Sequence, residues 1–220
     1  MIQALLFDAA GTLIDLAEPV ERTYARILGE HGITVDESEL RSRFGSAFRG
    51  AGDPDFGAHR DGDRAEREWW RKVVELSVGN PVSDQAFDAL FRHYDSGTAW
   101  LVRKEAVSAL ELAADSGLRL TVVSNFDLRL HNILRDLKLA GHFEVIVTSA
   151  DARARKPSPQ IFRQALSRLG LDAHQVLHIG DSPGADLEGA RASGIEGFLL
   201  EAGRFGLADF VKTAVSRNRK

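Results

Sequence analysis

At 220 residues, 44% hydrophobic and 27% charged, the chain has the size and balance of one large globular domain, or of one domain carrying a substantial insertion. Lys+Arg 28 against Asp+Glu 32 leaves a net charge of −4, so no basic field points to nucleic acid, and the lack of cysteine excludes disulfides, thiolate metal sites and cysteine nucleophiles. No apolar run approaches the ~20 residues of a membrane span, and Met1 runs straight into an apolar stretch unlike a signal peptide. These features predict a cytoplasmic protein with neither nucleic-acid nor membrane partners.

In chain order, Ile2 to Phe7 is apolar but for Gln3 and is followed by Asp8-Ala9-Ala10-Gly11-Thr12. Such a run suits a strand buried on both faces of a parallel sheet, with Asp8 at its carboxyl end, where ligands of open α/β sheets bind. Asp8 could equally cap a turn. From Pro19 to Tyr94 the pattern turns helical. Val20–Glu30 opens after Pro19, Asp36 caps Glu37–Arg49, a Gly/Asp/Pro-rich loop covers Gly50 to Gly62, a helix runs from Asp63 to about Val78, and Ser83 caps the fourth. Four helices without a strand signal read as a small bundle.

After Gly97, helices alternate with apolar strands at Leu118–Val123, Phe143–Val147, Gln175–Ile179 and Gly197–Leu200, the last followed by a helix over Leu207–Val215. A helix is expected over Pro183–Ser193. This alternation predicts an α/β fold, a doubly wound parallel sheet with the helical bundle inserted after the first strand. The core then comprises residues 1–15 and 98–220, and the inserted cap residues 16–97.

Polar residues follow successive strands: Asp8 and Thr12, Ser124 and Asn125, Lys156, then Asp181 and Asp186. Each has a plain reading as a cap, a turn residue or a solvated lysine. Parallel strands nevertheless bring their carboxyl ends to one crevice, so the set is expected to converge. Three carboxylates so placed repel one another, and a hard cation such as Mg²⁺ relieves this with oxygen ligands. A carboxylate can attack phosphorus, Lys156 can offset charge beside it, and Ser124, Thr12 and backbone N–H groups can hold phosphate oxygens.

Asp8-x-Ala10-Gly11-Thr12-Leu13, the strand ending Ser124-Asn125, Arg155-Lys156-Pro157-Ser158-Pro159-x-Ile161-Phe162 and Gly180-Asp181-Ser182-x-x-x-Asp186 resemble, in order, the four motifs of the haloacid-dehalogenase-like hydrolase superfamily. The segments Val123–Leu130 and His178–Ser182 resemble one branch of it. The resemblance implies a Rossmann-like core with a helical cap and a small phosphorylated substrate. It also implies Asp8 as nucleophile, Mg²⁺ on Asp8, the Ala10 main-chain oxygen and Asp181, and Asp186 as a further ligand or holder of metal-bound water. Ser124 and Lys156 would contact the phosphoryl group and the nucleophile.

Phosphatases of that superfamily carry a second aspartate, their acid/base, where this chain has Ala10. General acid–base catalysis supplies ~10²–10⁴-fold, so phosphate-ester hydrolysis is expected to be slow or specialised. A binding or regulatory protein with little turnover is the next reading. Phosphonatases have alanine there but use a cap lysine, and this cap has only Lys72, which also reads as a solvated surface residue. Haloacid dehalogenases need no metal and lack the Gly-Asp pair seen at Gly180-Asp181.

Phe48, Arg49, His59 and Arg60 are candidates for the cap's inner face, where Arg49 could bind a second anionic group on the substrate. Arg49 and Arg60 could instead be solvated, and Phe44 and Phe48 bundle core. Trp69 and Trp70 are adjacent, so only one can face inward, and the other would mark the cap–core junction or a dimer contact. Arg153 and Arg155 read as ordinary surface charge. A monomer or weak homodimer is expected.

Overall fold

The computed structural model describes residues 1–201 and 203–218. Its centre is a five-stranded, all-parallel sheet made of β1 (Ala4–Phe7), β4 (Arg119–Ser124), β5 (Val145–Thr148), β6 (Val176–Gly180) and β7 (Glu196–Leu199), in the order β5-β4-β1-β6-β7. The alternation of strands and helices read from the sequence is therefore realised as a doubly wound sheet. Both faces are covered, which is why β1 contains no polar residue. Leu5 and Phe7 pack on one side with Leu110 of α5 (Ala106–Asp115) and Phe210 of α10 (Leu207–Asn218). Ala4 and Leu6 pack on the other with Ile161 and Phe162 of α8 (Pro159–Leu169). Each such Leu or Phe contributes about 1.5–3 kcal/mol by leaving water. Phe7 lies opposite Val122 on one neighbour and Ile179 on the other, so β1, β4 and β6 reach the same edge together.

Beyond β1 the chain forms a second, two-stranded sheet, in which β2 (Ile14–Leu16) pairs antiparallel with β3 (Trp100–Val102). Three residues are too few to show alternation, so the sequence gives these strands no signal. They form the two stems of the helical insertion, which consists of α1 (Val20–Glu30), α2 (Glu37–Gly50), α3 (Gly62–Val78) and α4 (Asp84–His93). The side chains of Asp36 and Ser83 cap α2 and α4, while Asp61 caps α3 and starts it at Gly62. The bundle has its own core around Tyr24, Leu28, Leu40, Val74, Phe87 and Leu90.

The helix expected after β6 is present, opening as a wide π-turn over Pro183–Glu188 and continuing directly as the short α9 (Gly189–Ala192). Leu187 N–H reaches back to the Ser182 carbonyl at 3.3 Å, and the Asp186 carboxylate accepts the Ser182 N–H at 3.0 Å. Such π-turns interrupt helices where a side chain must be re-aimed. No helix of the described residues is long and apolar enough to cross a membrane.

Candidate active site

Asp8 is the first residue past β1, and its N–H bonds to the Ile179 carbonyl at 2.9 Å, so the sheet itself fixes where the carboxylate begins. The chain then coils tightly. The Ala9 carbonyl accepts the N–H groups of Thr12, Leu13 and Ile14, and the Gly11 carbonyl accepts Arg103 Nη1 at 2.7 Å. Among the described residues nothing donates to the Ala10 carbonyl, which leaves that oxygen available to a ligand. Gly11 has φ +81°, and a Cβ there would overlap the Asp181 carboxylate. Gly180 lies so close to Asp186 that a Cβ would overlap its carboxylate too. Both glycines let backbone and carboxylates crowd into one volume.

Lys156 is the hub of the charges. Its Nζ donates to Asp8 Oδ1 at 2.7 Å and to Asp186 Oδ1 at 2.6 Å, and its side chain is almost wholly buried. Burial alone would lower its pKa, but the charges of Asp8 and Asp186 outweigh this and raise it, so the ammonium stays charged. Burial pushes Asp186 up, yet Lys156 and the contact with His178 more than reverse this and hold it well below the usual carboxylate range. His178 Nε2 lies 3.0 Å from Asp186 Oδ1, and burial keeps its pKa below the ordinary value. Asp181 behaves in the opposite way. It is more open, and burial together with the charges of Asp8 and Asp186 raises its pKa. A carboxylate under such strain is suited to a cation, and oxygens of Asp8, Asp181 and Asp186 lie within 4.8 Å of one another. The donor set is all oxygen, which fits Mg²⁺ or another hard divalent ion. Asp186 is the most engaged of the three by protein partners, while Asp181 and the Ala10 carbonyl are the least.

The other residues read from the sequence are placed as follows. Ser124 ends β4 and is buried beside this edge, and the buried Thr12 Oγ1 has no hydrogen-bond partner among the described residues. Asn125 clamps the lysine's backbone, its Oδ1 accepting the Lys156 N–H at 2.6 Å and its Nδ2 donating to the Lys156 carbonyl at 3.0 Å. Both ends of its amide are thus spent on positioning Lys156.

A cavity of about 420 Å³ opens from Ala10, Gly11, Asn125 and Asp181 into the helical insertion. Phe48 and Trp70 line it, but Arg49 does not. The register of α2 that puts Phe44 and Phe48 on the cavity leaves Arg49 exposed, against Gly45. Of the two readings of Arg49, this exposed position agrees with the solvated one. His59 pairs with Glu68 at 2.7 Å, Arg60 is exposed, and Lys72 is exposed with Nζ on the Ala51 carbonyl at 2.9 Å, so none of these lines the cavity.

Sequence reasoning missed two buried ion pairs. Arg155, read as surface charge, is buried with Glu66 of α3, and its guanidinium stacks 3.5 Å from the Trp69 ring. Trp69 therefore sits at the cap–core junction, while Trp70 faces the cavity. Arg129 pairs through two nitrogens with Asp127 and donates its third to the Phe91 carbonyl at 3.1 Å.

A model of the haloacid dehalogenase-like hydrolase family matches residues 2–194. The mouse haloacid dehalogenase-like hydrolase domain-containing protein 3 is 34% identical over 228 residues, covering 98% of this chain and 88% of that protein. A HAD phosphatase from Thermococcus onnurineus is 25% identical, with a TM-score of 0.66 over 93% of this chain and 89% of its own. An L-2-haloacid dehalogenase from Xanthobacter autotrophicus shares the fold at 19% identity, with a TM-score of 0.71 over 98% of this chain and 83% of its own. With its parallel sheet, its lysine-bridged aspartates and a family match over most of its length, the chain belongs to the haloacid dehalogenase-like hydrolases.

Proposed function

We propose that this protein hydrolyses phosphate monoesters through a phosphoryl group carried transiently on Asp8. An Asp8 oxygen attacks phosphorus, and the bond from phosphorus to the ester oxygen breaks with its electron pair leaving on that oxygen. Water then attacks the aspartyl-phosphate, the carboxylate departs with the electron pair, and the water proton passes to solvent. Lys156 holds Asp8 in place through its Nζ hydrogen bond, and its charge offsets the negative charge gathered there. Asp8, the Ala10 carbonyl and Asp181 would hold Mg²⁺, which supplies positive charge to phosphoryl oxygens and relieves the repulsion among the carboxylates. Thr12 Oγ1 and Ser124 are the hydroxyls available to phosphate oxygens.

The observation that carries this reading is Lys156 bridging Asp8 and Asp186 beside an Asp181 whose ionised form is disfavoured. A site built only to displace halide has no use for that third, strained carboxylate. Ala10 supplies no proton to the leaving group, which favours as second reading a binding protein of low turnover. Hydrolysis of p-nitrophenyl phosphate with Mg²⁺ and with EDTA separates the possibilities. Metal-dependent turnover that is lost in Asp8→Asn supports the proposal. Chloride release from 2-chloropropionate without metal, or no turnover of either compound, contradicts it.

A further inference from the structure

The reaction leaves open what alcohol the phosphate is attached to. The cavity reaches the site at Ala10, Gly11, Asn125 and Asp181, and its volume of about 420 Å³ falls in the usual small-molecule range of roughly 300–1,000 Å³. Its walls are aromatic. Phe44, Phe48 and Trp70 form one side, with Phe44–Phe48 centroids 6.2 Å apart and Phe48–Trp70 6.0 Å apart. Phe87, Phe91 and Tyr94 of the α4 segment also line the cavity, with Phe87–Phe91 at 5.7 Å. Rings at these spacings and angles present both edges and faces to an aromatic guest.

Charge on the wall is equally telling. Among the described lining residues Arg129 is the one cation, and its nitrogens are spent on Asp127 and the Phe91 carbonyl while its carbon lies 3.5 Å from the Phe91 ring. No cation there is free to receive a second phosphate or a carboxylate, and burying an unpaired anion against these rings is costly. Polyols would leave most of their hydroxyls without partners. Shape and polarity together call for an uncharged apolar group.

The bond-breaking step makes a second, independent demand. Ala10 has no proton to give. The lining carboxylates are Asp181, at the metal position, and Asp15, which pairs with Arg103 at 3.0 Å. The lining phenols are made weaker acids by burial, which pushes Tyr94 up to about 12 and raises Tyr24 as well. An ester whose oxygen departs readily as an anion needs no acid. Phenols meet that condition and aliphatic alcohols do not.

We propose that the substrate is an aryl phosphate, a monoester of an uncharged phenol whose ring system occupies the aromatic cavity while the phosphate sits at Asp8. This rests on the phosphatase reading above. In the first step the phosphorus–oxygen bond to the phenol breaks and the phenolate leaves with the electron pair, taking its proton from solvent after release.

The test is kcat/KM, with Mg²⁺, for five probes: 1-naphthyl phosphate, phenyl phosphate, 4-carboxyphenyl phosphate, cyclohexyl phosphate and acetyl phosphate. Acetyl phosphate has a good leaving group but no ring, so it reports the chemistry alone. The expected order places 1-naphthyl at or above phenyl phosphate. The 4-carboxyphenyl ester falls at least about tenfold below phenyl, as for other pocket mismatches. The cyclohexyl ester falls by about 10²-fold or more, the lower end of what a missing general acid costs. Phe48→Lys, at a part-exposed cavity position, should lower the ratio of 1-naphthyl to 4-carboxyphenyl turnover by about tenfold or more, and Phe44→Leu gives a second reading of the ratio if that variant does not fold. Good turnover of acetyl phosphate with cyclohexyl or 4-carboxyphenyl phosphate equal to phenyl phosphate overturns this proposal and leaves the phosphatase reading intact. No turnover of any probe, acetyl phosphate included, overturns both.

Discussion

Glu66 of the cap is buried against Arg155 of the core, one residue before Lys156, and also accepts Ser149 Oγ at 2.5 Å. The inserted bundle is therefore fastened to the segment that carries the lysine. Asp63 reinforces the attachment by accepting the Leu128 N–H at 2.9 Å, and Arg153 does so by donating to the carbonyls of Phe56 and Arg60. The Glu66–Arg155 pair and the Lys156 bridge lie side by side in the chain, so cap attachment and lysine placement share one short stretch of backbone.

Removing one partner of a buried ion pair strands the other. Glu66→Ala should cost about 3–5 kcal/mol in urea unfolding. A double variant, Glu66→Leu with Arg155→Met, should recover much of that loss, since neither charge is then buried alone. A double variant no more stable than Glu66→Ala would show that the pair does not couple the two residues.

Asn125 should matter through Lys156. In Asn125→Ala the Lys156 N–H and carbonyl lose their partners, at about 1–3 kcal/mol for buried groups left unsatisfied. If its task is to position the lysine, kcat should fall with KM little changed, and the pH profile should move as the ammonium leaves Asp8. A rise in KM alone would instead place Asn125 on the substrate.

Acid stability should report the Lys156–Asp186 pair. A carboxyl whose pKa is lowered on folding stabilises the protein above its unfolded value, ordinarily 3.8 here, and that stability is lost as pH falls through the folded value. Asp186→Asn should be less stable than the native chain at pH 7, because Lys156 is left less well paired. It should also lose less stability than the native chain between pH 5 and pH 3. Thermal melts across that range check both, and parallel losses in the two chains would contradict the assignment.

Ala10 lines the cavity two residues after Asp8, where the family resemblance implies an acid/base aspartate. Ala10→Asp should raise turnover of alkyl phosphates by up to ~10²–10⁴-fold, the usual range of general acid–base catalysis. Aryl phosphates should gain less if departure of the leaving group limits the rate, and as much if hydrolysis of the aspartyl-phosphate does. Ordinary native turnover of an alkyl phosphate, unchanged by the substitution, would mean that another group already supplies the proton.

The core was legible because its signals are local. Apolar runs such as Leu5–Phe7 and Val122–Val123 mark strands, and a parallel sheet then gathers Asp8, Ser124, Lys156 and Asp181 at one edge with no further information. What stayed hidden depends on pairing across the chain. Glu66 and Arg155 are 89 positions apart, and Glu66 sits on a helix already rich in Arg and Glu, so nothing marks it as the buried one. The strands β2 and β3 are too short for a period to show. Which of Phe48 and Arg49 lines the cavity was open for a different reason: they are neighbours, and one residue along a helix turns a side chain by ~100°.

The central claim is that Asp8 carries the phosphoryl group. Its direct test is to mix the protein with Mg²⁺ and p-nitrophenyl phosphate, quench with acid, and measure the intact mass and the modified peptide. With Ala10 unable to activate water, a phosphoryl adduct on Asp8 should accumulate during turnover, be absent in Asp8→Asn, and be less abundant in Ala10→Asp. Turnover that persists in Asp8→Asn, or that proceeds with the phosphoryl group on another residue, would contradict the account.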